Sequence, residues 1–90
     1  MTKRDKHRLI TGEFLSKYED KFDIDDEMGG RLILTPMDYD GEGDTRDNTI
    51  EYHQSRHTVD TYNWASPETK ALVAEMEVFI TSLIIKHDLD

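Results

Sequence analysis

The segment Asp38-Tyr39-Asp40-Gly41-Glu42-Gly43-Asp44 sets carboxylates at alternate positions. Carboxylates this close repel one another until a hard cation or a basic surface neutralises them, so the spacing suits calcium or a cationic partner. A second constellation is His53-Gln54-Ser55-Arg56-His57. On a helix this spacing puts two imidazoles on one face, as in zinc sites. Across a tight hairpin the two could also face each other, with Glu51 or Asp60 nearby. An unperturbed imidazole changes charge near neutral pH, so a pH-responsive pair is expected. A third group is aromatic: Tyr52, Tyr62 and Trp64, with Tyr39 inside the acidic run. Tyr and Trp among polar groups suit a protein interface, while packing of Trp64 under the C-terminal helix is the competing expectation.

The acidic run resembles the first half of an EF-hand calcium loop, with Gly43 at its sixth position. The twelfth position, where a bidentate Glu belongs, is Thr49, and a strand pattern precedes the run. A solvated or acidic recognition loop is therefore expected, and no metal ligand is assigned. For the histidine pair, surface hairpin polars are the expectation. There is no Cys, no HExxH and no Gly-rich phosphate loop, and no Ser/His/Asp signature. No catalytic residue and no cofactor is assigned, and an enzyme is not expected.

Charge separates the ends of the chain. Lys3, Arg4, Lys6 and Arg8 against Asp5 make the first ten residues +3, so a total of -9 leaves -12 on the rest. Nine of the twenty acids fall in two runs, Asp23, Asp25, Asp26, Glu27 and then Asp38, Asp40, Glu42, Asp44, Asp47. Such a surface repels nucleic-acid phosphate and anionic lipid, so neither direct nucleic-acid binding nor membrane binding is expected. It attracts basic protein surfaces. No apolar run is long enough to span a bilayer, and the basic start is followed by no apolar h-region, so a cytoplasmic protein is expected.

Several elements must position these groups. Thr2 to Phe22 reads as a helix, because Ile10, Phe14, Tyr18 and Phe22 recur every fourth residue with His7 and Leu15 flanking the stripe. Cations in its first turn oppose the helix dipole, so that turn should fray or meet an acidic partner. Asp23 to Gly30 reads as a connection, Arg31 to Met37 as a strand closed by Pro36, and Asp38 to Asn48 as a polar loop. Thr49 to Gln54 and His57 to Trp64 both read as strands and form a hairpin. Ser66 to His87 is a helix capped by Ser66 with Pro67 at its first position. Leu72, Met76, Phe79 and Leu83 line its inner stripe, widened by Val73, Ile80 and Ile84.

That helix carries a second apolar patch, Ala71, Ala74, Val78 and Ile85. A helix apolar on two faces is buried on two faces, and one small sheet covers only one, so a homodimer through this patch is expected. The fold class is α+β: residues 1–90 as a single domain with an N-terminal helix, a two- to three-stranded antiparallel sheet and a long C-terminal helix, both helices on one sheet face.

The function expected is a noncatalytic protein-interaction module, a small acidic inhibitor or regulator that binds a basic protein surface. Asp38, Tyr39, Asp40, Glu42 and Asp44 are its assigned partner-binding residues. Its character matches virus- or plasmid-encoded antagonists of host machinery, DNA mimics included. The alternative is a small-ligand or metal-ion binder using calcium at the acidic loop or zinc at His53 and His57.

Overall fold

A computed structural model of the chain describes residues 1–27, 29–37 and 48–89. The order is α1 (Lys3–Tyr18), β1 (Phe22–Glu27), β2 (Arg31–Pro36), β3 (Ile50–His53), β4 (Thr58–Thr61) and α2 (Pro67–Lys86). The strands form one antiparallel meander in the order β1-β2-β3-β4, with a helix at each end of the chain packed on it: an α+β fold.

Helix α1 begins with a closed capping box. Asp5 N–H donates to Thr2 Oγ1 at 3.2 Å, and Thr2 N–H donates to the Asp5 carboxylate at 3.4 Å. The fraying expected of the basic first turn is thus countered by Asp5, the one acid in it, which also offsets the unfavourable charges against the dipole. Ile10, Phe14 and Tyr18 are fully buried, as their spacing requires. The helix ends at Tyr18, so Phe22 continues the stripe from a strand rather than from the helix.

The stretch read as a connection holds β1, and the sheet gains a fourth strand. Its sequence, Phe-Asp-Ile-Asp-Asp-Glu, hides the strand because acids occupy positions that favour β-branched residues. An edge strand with its outward face in water tolerates them. Gly29 and Gly30, at φ 85° and 75°, supply the left-handed backbone that lets Glu27 pair with Arg31.

Cross-strand register sorts the side chains. Phe22, Ile24, Leu32, Leu34, Ile50, Tyr52 and Val59 alternate onto one face. There they meet Ile10, Phe14 and Tyr18 of α1 and Met76, Ile80 and Leu83 of α2 in a single core. Phe14 stacks on Tyr52 with ring centroids 4.5 Å apart. Burial of these large side chains drives the two helices onto the same face.

The ends of α2 are fastened by polar contacts. Ser66 Oγ accepts from Thr69 N–H at 3.2 Å, and Asn48 Oδ1 accepts from Ser66 N–H at 3.2 Å and from the Thr69 hydroxyl at 2.8 Å. Asn48 thereby ties the approach to β3 to the first turn of α2. At the other end Lys86 Nζ and His87 Nε2 each lie 2.8 Å from the Glu13 carboxylate of α1. Asp88 takes φ 53°, and Leu89 N–H donates back to Ile84 C=O at 3.0 Å, which returns Leu89 to the core. This is a Schellman-type helix stop.

Candidate functional site

The face of the sheet turned away from both helices carries Asp23, Asp25 and Glu27 of β1, Arg31, Ile33 and Thr35 of β2, Glu51 and His53 of β3, and Thr58 and Asp60 of β4. No element among the described residues covers it. Strand register aligns two rows across it. One row is Asp25, Ile33, Glu51 and Asp60, and the other is Glu27, Arg31, His53 and Thr58. Arg31 lies 3.0 Å from Glu27 and 3.7 Å from Glu51, and His53 Nε2 lies 3.8 Å from Glu51. These contacts neutralise the middle of the face. Asp23, Asp25 and Asp60 are exposed and pair with no cation among the described residues, so the face keeps a negative surplus towards both sheet edges. The acids of β1 were legible as a charge run, but their alignment with Glu51 and Asp60 appears only once the strand exists.

The partner-binding residues expected from the sequence, Asp38, Tyr39, Asp40, Glu42 and Asp44, lie outside the described residues. So does the whole calcium-like run from Asp38 to Asp44.

The histidine pair does not assemble. His53 stands on the open face beside Glu51, whereas His57 is 5% exposed and turns towards the helices. Its Nε2 sits 2.6 Å from His7 Nδ1, and its Nδ1 sits 2.5 Å from the Tyr52 hydroxyl, which reaches Thr11 Oγ1 at 3.4 Å. The hairpin turn puts His57 in left-handed backbone, at φ 52°, and this aims the ring inward. Burial, with the nearby His7 charge, pushes the His57 pKa down to about 4, so the ring is neutral around neutral pH. Burial also raises the Tyr52 hydroxyl. A buried polar chain whose members satisfy one another is a fastening between α1 and the β3–β4 hairpin. His7 was legible only as a flank of the α1 stripe; its partner lies across fifty positions of sequence. Among the described residues no group of three or more His, Cys, Asp or Glu side chains could hold a metal ion.

Of the aromatic group, Tyr52 belongs to the core and is fully buried, because β3 turns it inward with Ile50. Tyr62 and Trp64 stack with centroids 4.9 Å apart and planes at 8°, and Trp64 is 64% exposed. Trp64 is therefore not packed beneath α2. On α2 itself, Ala71, Ala74, Val78 and Ile85 are all exposed, Val78 at 72% and Ile85 at 74%. No helix among the described residues is long and apolar enough to cross a membrane. No protein-family model matches the chain, and no curated protein or solved structure matches it either, so its surfaces alone carry the functional reading.

Proposed function

We propose that the chain is a noncatalytic interaction module, an acidic inhibitor or regulator that binds a basic protein surface. The observation that carries this reading is the open sheet face, where Asp23, Asp25 and Asp60 pair with no cation among the described residues around the Glu27–Arg31–Glu51 contacts. A flat sheet face left uncovered by helices is a ready platform, and unpaired carboxylates on it steer a cationic partner. The acids Asp38, Asp40, Glu42 and Asp44, with Tyr39, lie between β2 and β3 in sequence and belong to the same proposal. Affinity capture from the native cell tests it. Wild type should recover a basic partner at low salt and release it at high salt, since exposed charges are screened over about 8–10 Å at physiological ionic strength. The Asp23→Asn, Asp25→Asn, Asp60→Asn variant should fold and fail to recover it. Equal recovery by that variant removes the open face from the reading.

We further propose a twofold homodimer through α2. Ala71, Ala74, Val78, Thr81 and Ile85 follow three- and four-residue steps along its exposed side, the seam spacing that brings two helices together. Val78 and Ile85 in water are the cost this contact would remove.

A further inference from the structure

We infer that the edge of β4, which no strand among the described residues covers, forms with the groove between it and α2 a docking site for an extended partner segment that carries a Lys or Arg opposite Asp60 and adds to the sheet as a further strand. This rests on the reading of a basic partner and names where and in what form that partner binds.

Among the described residues no strand covers the backbone at this edge. Gln54 N–H donates to Gly30 C=O at 3.0 Å, which sets residues 50, 52 and 54 towards β2 and residues 51 and 53 towards β4. In an antiparallel ladder the directions alternate, so Thr58 and Asp60 bond to β3. The N–H and C=O groups of Val59 and Thr61 then point away from the sheet. No strand among the described residues pairs with them. Strand addition uses groups of this kind.

The groove supplies side-chain selectivity. It has a volume of about 290 Å³, with Val73 and Ala74 of α2 along one wall, and Lys70, Glu77 and Tyr62 around them. An added strand points alternate side chains to opposite faces of the sheet. Those on the helix side would reach Val73, beside the α2 dimer patch, and suit small apolar residues. Those on the other side would arrive beside Asp60, which pairs with no cation among the described residues although Lys70 lines the same groove, so a Lys or Arg there meets a single carboxylate. The Tyr62–Trp64 stack stands just past the end of β4. Its exposed indole offers a flat face to a further cation. Backbone pairing, an apolar wall, the Asp60 carboxylate and an aromatic platform thus converge on one edge.

The opposite edge differs. Asp23, Asp25, Asp26 and Glu27 crowd β1, an edge that attracts a cationic segment by charge alone, whereas β4 sets Asp60 beside the apolar wall of Val73.

An NMR titration of the full chain with a synthetic peptide of alternating valine and lysine tests the inference, alongside a peptide with glutamate in place of lysine. The lysine peptide should shift the amides of Val59 and Thr61 and the Trp64 indole, and saturation should slow hydrogen exchange at the two amides. The double variant Asp60→Asn, Glu77→Gln should bind it roughly tenfold more weakly. A lysine peptide N-methylated at alternate amides should lose the β4 shifts. Shifts confined to β1 or to the open face overturn the docking site and leave the basic-partner reading standing. Equal binding of the glutamate peptide at β4 overturns the basic partner itself. No shift with either peptide overturns the docking site, and capture from the native cell then judges the broader reading alone.

Discussion

The imidazoles of His7 and His57 stack with centroids 4.7 Å apart and share a hydrogen bond between Nδ1 and Nε2 at 2.6 Å. One proton can sit between these nitrogens, but two cannot, because two facing N–H groups repel. Among the described residues His57 Nδ1 meets only the Tyr52 hydroxyl, and no carboxylate there touches the pair to stabilise charge.

Stability should therefore fall in mild acid. The folded His57 pKa of about 4 lies below its ordinary 6.5, so between these values the unfolded chain holds a proton that the folded chain excludes. Stability is highest above pH 6.5 with respect to this group and declines as pH falls towards 4, by up to about 3 kcal/mol. Denaturant unfolding of wild type and His57→Asn across that window checks this; Asn tolerates the left-handed backbone. The variant should be weaker at pH 7 by about 1–2 kcal/mol, since Tyr52 and His7 lose a partner. Its slope with pH should be flatter, and equal slopes would sink the assignment.

Asp88→Gly should stabilise the fold by about 0.5–1 kcal/mol. Asp88 adopts φ 53° at the stop of α2, where glycine carries no side-chain penalty, and its position just past the C-cap adds negative charge at the negative end of the helix dipole. Lys6 Nζ bonds to the backbone carbonyl of residue 88, which the change retains. Thermal melts of the two chains decide it, and a lower midpoint for the variant would refute it.

Asn48→Ala should cost about 1–2 kcal/mol although Asn48 lies in no helix or strand core. Its side-chain oxygen accepts from both Ser66 N–H and the Thr69 hydroxyl, and removal leaves those donors at the start of α2 without it. Hydrogen exchange should rise first in the opening turn of α2. Unchanged exchange there would show that the Ser66 cap suffices.

Val78→Glu with Ile85→Lys should yield a folded monomer, because both side chains are exposed and outside the core. Light scattering of wild type should give twice the monomer mass. A wild-type monomer at high concentration would end the dimer proposal.

Local chemistry made much of the scaffold legible. Ser66-Pro67 starts α2 where capping rules place it, Ile10, Phe14 and Tyr18 face the core at helical spacing, and Ile50 and Tyr52 alternate inward as a strand requires. The exposure of Val78 and Ile85 was equally legible, because their positions oppose the inner stripe. The acids of Asp23 to Glu27 outweighed their own pattern, since strand propensity expresses packing against neighbours that a lone segment does not reveal. Pairing with β2 decided that strand, and with it the alignment of Asp25, Glu51 and Asp60. His57 shows the same limit. Its spacing to His53 suggested a shared site, yet period-2 alternation places His53 in the open face while the left-handed turn sends His57 inward to His7. Contacts between residues fifty positions apart depend on how helix and hairpin pack, and only the folded chain decides that.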